Sequence, residues 1–204
     1  MYSPKHFQNK DEATLKQLVA ENGFATLISN DIDTGIPMVT HLPLQLSCTR
    51  LVGHMARLNP HWKMFDGTCQ ATAIFHGPHA YISPNWYKSD GLVPTWNYIT
   101  VHITGTPRTI EDLDELKSTL VNLSRQYEDV GPDAWSSDLL GDKKLDAMAR
   151  GIIAIEMTGL DWVGKFKLGQ NKKAEDQDAV ALQHQNSNRD DDEALAKWMA
   201  KLQK

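Results

Sequence analysis

The sequence predicts a mainly β protein with peripheral helices, an antiparallel barrel or sandwich, and three observations lead there. About seven short segments of strand character follow one another with turn residues between them. One of them, residues 99–104, alternates strictly, with Ile99, Val101 and Ile103 set against Thr100, His102 and Thr104. Helical patterns gather before the last strand pair rather than between successive strands, which argues against a doubly wound parallel sheet.

Each element has a local cause. Residues 11–22 read as a short amphipathic helix, with Leu15, Leu18 and Val19 on one side and Gly23 as its stop. Residues 24–29 form a strand, residues 30–35 a turn, and residues 36–46 a second strand. Pro37 and Pro43 predict that this second strand is an edge or is bulged, because proline cannot donate to a ladder. Residues 50–55 make a third strand. Asn59-Pro60 then supplies an N-cap followed by proline at the first helical position, opening a short helix towards Phe65. Two strands follow at 68–75 and 79–83, and the alternating segment comes next. Residues 111–127 form a strong helix, with Glu111, Asp112, Asp114 and Glu115 at its positive end. A weaker helix covers 142–150, and strands return at 151–158 and 162–168. Beyond Asn171 the composition turns polar, with helices at 176–183 and 190–201. In the latter, Leu195, Trp198, Met199 and Leu202 share a face.

A chain of 204 residues, 41% of them hydrophobic, can bury a substantial core. The predicted organisation is a domain over residues 1–171 and a helical appendage over 172–204. With 21 Lys and Arg against 26 Asp and Glu, the net charge of −5 suits poorly a protein that grips a polyanion with its whole surface. The charge is uneven, however. Between Gly35 and Ile110 two acids, Asp66 and Asp90, face five bases: Arg50, Arg57, Lys63, Lys88 and Arg108. A second window, residues 162–174, has no acid and holds Lys165, Lys167, Lys172 and Lys173. These windows are either the parts of a local anion site or ordinary strands with solvated ends. Cys48 and Cys69 match no disulfide scaffold, metal knuckle or redox pair. No apolar run approaches the ~18 residues of a membrane span, and the opening residues lack a signal-peptide stretch. The expectation is a soluble, cytoplasmic protein.

The residues then exclude several chemistries. His76-Gly-Pro-His79 places two imidazoles across an expected turn, and His54 and His61 flank a helix start. No His-x-Glu, no HExxH and no paired cysteine supports them, so hydrogen-bonding roles are expected and no metal. Ser29, Ser83 and Cys69 lack a nucleophile elbow, and neither a dinucleotide fingerprint nor a P-loop occurs. Residues 51–62 are more informative. A strand ends near Gly53, and His54 and Arg57 precede the turn opened by Asn59-Pro60. Free backbone N–H groups, a helix start and a guanidinium are what a phosphate monoester needs. The same residues also suit an ordinary turn with Arg57 in solvent. Residues 81–87, 94–98 and 165–171 add aromatics, amides and two lysines, a set that fits a flat heterocycle. Trp86 and Trp96 equally suit core filling.

Taken together, GHMARLNPHW, FHGPHAYISPNWY, VPTWNYITVHITG, GKFKLGQNK and the opening MYSPKHF resemble the PaiB-type FMN-binding negative transcriptional regulators of bacteria. The resemblance runs in order over about residues 1–182 and is not traced into the last twenty residues or so. It implies an FMN-binding split β-barrel related to the pyridoxine-phosphate oxidases, and a homodimer with FMN at the subunit interface. It also implies that His54, Met55, Ala56, Arg57 and Asn59 hold the FMN phosphate. Trp96, Asn97, Tyr98, Lys167, Gln170 and Asn171 would line the flavin, some of them from the partner chain. Gly169 departs from the pattern, which has a serine there.

The function this resemblance implies is that of a dimeric regulatory flavoprotein. DNA is a conceivable partner, but no helix-turn-helix is visible and the terminal helices are nearly charge-balanced. The alternative is an FMN-dependent oxidoreductase, for which His41, His102 and Tyr98 are eligible acid–base groups without a distinguishing pattern. A haem-binding split barrel is the third reading, disfavoured because Arg57 beside Asn59-Pro60 suits a phosphate better than iron.

Overall fold

The computed structural model describes residues 1–128, 131, 135 and 137–202. Its strands are β1 (Gln8–Asn9), β2 (Phe24–Asn30), β3 (Pro37–Ser47), β4 (Arg50–Ala56), β5 (Ala71–Ile82), β6 (Thr95–Ile110) and β7 (Ile152–Lys167). The α-helices are α1 (Glu12–Glu21), α2 (Leu113–Arg125), α3 (Asp142–Arg150), α4 (Ala174–Gln185) and α5 (Asp190–Leu202). The strands form one seven-stranded sheet in the order β1-β7-β4-β3-β2-β5-β6, and β7 also pairs with β6. The pairings β1–β7, β2–β3, β2–β5, β3–β4 and β4–β7 are antiparallel. The mainly β class with peripheral helices is thus the fold observed. No helix among the described residues is long and apolar enough to cross a membrane.

By contacts the chain divides into two compact units. Unit 1 holds residues 1–18, 76–102 and 163–204, and unit 2 holds residues 19–75 and 103–162. The boundaries fall inside α1 and at or within β5, β6 and β7, and none falls between residues 171 and 172.

In unit 2, β3 lies between β2 and β4 in the strand order, yet its two halves each pair with one neighbour, which keeps the edge character expected at its prolines. Its ladder with β2 runs from Pro37 to Pro43, and its ladder with β4 begins at Leu44. Pro43 therefore sits where the strand changes neighbours, so its missing N–H costs no bond in the β4 ladder. Gly53 makes this handover possible. A Cβ there would lie 2.7 Å from the Pro43 carbonyl oxygen and 2.6 Å from Leu44 Cδ2. Gly53→Ala is accordingly expected to destabilise the protein by about 1–3 kcal/mol, the usual cost of overpacking. An unchanged midpoint in urea unfolding would mean that β3 and β4 separate at no cost. Asp112 caps α2, its Oδ1 accepting from the Glu115 N–H at 2.9 Å. Leu116 of α2 then joins Ile110, Ala149 and Ala154 in a small buried cluster.

In unit 1 the expected turn at His76-Gly-Pro-His79 is absent, since β5 runs through it. The burial alternation slips by one residue at Gly77-Pro78, as at a bulge, so His76 and His79 both face outward. A Cβ on Gly77 would meet Leu18 Cδ1 at 2.8 Å, and this close approach keeps the strand continuous where the sequence signals a break. In the same way, residues 151–158 and 162–168 form one strand, β7, with Gly159 at φ +64° absorbing the predicted break. α4 and α5 pack on each other. Trp198 of α5 meets Phe166 of β7 edge-on at 5.5 Å, and Trp86 meets His184 of α4 at 5.7 Å. Asp176 of α4 accepts from the Lys88 and Ser89 N–H groups at 2.8 and 2.9 Å.

Candidate functional site

The eleven residues singled out by the sequence fall in both units. His54, Met55, Ala56, Arg57 and Asn59 belong to unit 2; Trp96, Asn97, Tyr98, Lys167, Gln170 and Asn171 belong to unit 1.

In unit 2, β4 ends at Ala56 and a 3-10 turn, Pro60–Met64, follows with Asn59 as its N-cap. Met55 is buried and Ala56 exposed, as strand alternation dictates. His54 is half-buried, and burial holds its pKa below the ordinary imidazole value. Its Nδ1 is buried and has no hydrogen-bond partner among the described residues. Arg57 is exposed, yet its guanidinium is anchored. Nε donates to the Arg150 carbonyl at 3.0 Å and Nη2 to the Ile152 carbonyl at 3.1 Å, while no bond of Nη1 is recorded among the described residues. Asn59 uses both ends of its amide locally: Oδ1 accepts from the His61 N–H and Nδ2 donates to Thr40 Oγ1, each at 3.0 Å.

His61, at 0% exposure, has both ring nitrogens engaged. Nε2 lies 2.7 Å from Ser29 Oγ and Nδ1 lies 2.8 Å from Thr40 Oγ1, and burial pushes its pKa down to about 4. The hydrogen-bonding role expected for the histidines is the one His61 has. No group of three or more metal-ligating side chains occurs among the described residues.

Two bases of the first basic window are already neutralised. Glu156 of β7, its side chain 3% exposed, binds Arg50 Nη1 through Oε2 and Arg108 Nε at 2.5 Å through Oε1. Arg50 also approaches Glu115 at 3.4 Å. The sequence count of free cations is therefore too high for unit 2, because a strand carboxylate 48 or more residues away in sequence takes two of them.

In unit 1, the outer faces of β5, β6 and β7 build an aromatic and basic surface. Trp96 is 49% exposed, so it does not fill the core. The rings of His79 and Tyr81 each lie 6.1 Å from its ring. Lys165 Nζ sits 5.3 Å from the Tyr98 ring centroid and 5.7 Å from that of Tyr2. Lys167 Nζ donates to Thr95 Oγ1 at 2.6 Å and to the Trp96 carbonyl. Burial first, then the like charges of Lys165 and Lys172, lower the Lys167 pKa. A cation held among like charges gains from an incoming anion or electron-rich group.

The structure thus brings Trp96, Tyr98 and Lys167 together. Asn97, between the two aromatics, is buried on the opposite face of β6. Gln170 braces its own turn, with Oε1 accepting from the Leu168 N–H at 2.8 Å and Nε2 donating to the Phe166 carbonyl at 2.5 Å. Asn171 is exposed. Gly169 has φ +83°, a conformation that glycine adopts without strain. Lys165 and His79, named in the sequence for their charge and imidazole, were not among the eleven candidate residues. Their signal was an i, i+2 spacing shared with Lys167, Tyr81, Trp96 and Tyr98, which puts each pair on one strand face.

Residues 1–158 match the model of a family described as "Putative FMN-binding domain". The chain is 34% identical over 206 residues to the protease synthase and sporulation protein PAI 2 of Bacillus subtilis, covering 99% of this chain and 96% of the relative. Among solved structures it is similar to the FAD and haem binding protein of Mycobacterium smegmatis, with TM-score 0.62, 16% identity, and 84% and 78% of the two chains covered. It is also similar to the flavocytochrome Anf3 of Azotobacter vinelandii, with TM-score 0.61, 12% identity, and 86% and 75% covered. The fold is the split β-barrel shared with such flavin-binding proteins.

Proposed function

The chain belongs to the FMN-binding domain family, and from that premise we propose that it is a cytoplasmic homodimer that binds FMN at the subunit interface and serves negative transcriptional regulation of the PaiB type. The observation that carries the reading is the unit 1 surface, where Lys165 and Lys167 stand beside the exposed faces of Trp96 and Tyr98. Aromatic rings beside fixed cations suit a planar, electron-poor heterocycle carrying phosphate. Unit 2, taken by itself, offers groups for an anion: Arg57 keeps Nη1, and the orphaned His54 Nδ1 is a polar atom that a ligand hydrogen bond would satisfy. These groups fit a flavin phosphate. They favour FMN over FAD because a terminal phosphate dianion makes fuller use of one guanidinium than a diphosphate diester does.

Bound FMN supplies reversible electron and hydride transfer. Arg57 would take the phosphate, and Trp96, Tyr98 and Lys167 would line the ring system, some of these contacts coming from the partner chain. Regulation would act through the flavin state or a protein partner. The first turn of α5 carries Asp190, Asp191, Asp192 and Glu193, which repels a phosphate backbone.

Fluorescence titration with FMN tests the site. Arg57→Ala and Lys167→Ala are each expected to weaken binding about tenfold to a hundredfold, the loss of one charge-assisted contact. Unchanged dissociation constants in both variants, or a wild-type protein that retains no flavin, would overturn the reading.

A further inference from the structure

We propose that His61 is the positioning residue of the flavin-phosphate turn, holding residues 57–59 in place through Thr40 and Asn59. This rests on the FMN reading above. Asn59 Nδ2 donates to Thr40 Oγ1 at 3.0 Å, and its orientation is fixed because Oδ1 accepts from the His61 N–H. The Thr40 hydroxyl has one proton, and giving it to His61 Nδ1 at 2.8 Å is the arrangement that leaves Ser29 Oγ its own proton for Met64 Sδ. Nδ1 is then an acceptor, so Nε2 carries the ring proton and donates to Ser29 Oγ at 2.7 Å. The Ser29 hydroxyl in turn donates to Met64 Sδ at 3.7 Å. Every donor in the chain Asn59–Thr40–His61–Ser29–Met64 has one acceptor, and only one tautomer of His61 satisfies it.

The end of this chain is the turn that carries Arg57. The Asn59 N–H donates to the Ala56 carbonyl and the Trp62 indole N–H to the Arg57 carbonyl, both at 2.9 Å. Fixing the Asn59 side chain therefore fixes the main chain on which Arg57 stands. The ring of His61 faces Ser29 of β2, Thr40 of β3, and Asn59, Met64 and Phe65 of its own segment; none of these is charged. A protonated ring would present a second donor to Thr40 Oγ1 and displace the proton that the hydroxyl now points at Nδ1. The Thr40 hydroxyl would have to turn its proton elsewhere, which disturbs the oxygen that Asn59 Nδ2 donates to.

The test compares FMN with riboflavin, which lacks only the phosphate, using the full chain at neutral pH. The wild type is expected to prefer FMN by about tenfold or more. Thr40→Val and His61→Gln, which lose the contact between residues 40 and 61, should cut that preference severalfold and leave riboflavin affinity unchanged. His61→Asn, whose amide reaches the Nδ1 position, should restore most of it. Should His61→Gln fail to fold, Thr40→Val carries the comparison, since it removes a single hydroxyl. Variants that keep the wild-type ratio, or that lose FMN and riboflavin affinity equally, would overturn the positioning role and leave the flavin reading standing. A wild type that binds FMN and riboflavin alike would overturn the phosphate assignment, and the positioning role with it.

Discussion

Replacing Arg50 and Arg108 together by methionine is expected to lower the unfolding free energy by about 3–5 kcal/mol, more than replacing Glu156 by glutamine. The asymmetry follows from burial. The Glu156 carboxylate is 3% exposed, whereas the Arg50 and Arg108 side chains are 39% and 60% exposed. Glutamine at 156 leaves two guanidinium groups that can turn towards water. Removing both arginines leaves a carboxylate on β7 that cannot, and it must either take up a proton or open the strand. Each single arginine variant should cost less than half of the double one, because the remaining guanidinium still pairs with the carboxylate. Urea unfolding of the four variants at neutral pH measures this. A double variant no less stable than Glu156→Gln would mean that the carboxylate has another counter-charge.

The strands and helices were legible in the sequence wherever hydrophobic period and capping agree. Residues 24–29, 50–55 and 111–127 match β2, β4 and α2 within a few residues for that reason. The misreadings share a cause as well. Glycine and proline signalled breaks at 76–79 and near 159. In the structure Gly77 and Gly53 serve close approach between neighbouring groups, and Pro43 stands at a change of ladder partner. A turn signal and a close-approach signal look identical in one sequence, and only the neighbour across the sheet separates them. The candidate residues Trp96, Tyr98 and Lys167 came from the resemblance of their motifs to a known family, and strand period accounts for their shared outward face. The roles of Ser29, Thr40 and Glu156 were not readable, since each depends on a partner distant in sequence.

The apoprotein is expected to lose up to about 3 kcal/mol of stability between pH ~6.5 and ~4, with His61 as the main source. Its pKa stands at about 4 in the fold against 6.5 when unperturbed, because burial disfavours the charged ring. Across that interval the unfolded chain takes up a proton that the native state refuses, so the stability is full above the unfolded value and falls as acid is added. Each pH unit across the gap costs about 1.4 kcal/mol. His54, His102 and His184 are lowered by burial too and act in the same direction. The carboxylates Asp11, Asp31, Asp66 and Asp176 are held below their usual value mainly by hydrogen bonds they accept, so their contribution is lost only at lower pH. Urea midpoints measured without flavin from pH 8 to 4 separate the two groups. His61→Gln should be less stable at pH 7 and distinctly flatter between pH 6.5 and 4. A variant with the wild-type slope would place the titration on the other histidines, and would also mean that the Thr40–His61–Ser29 chain tolerates a charged ring.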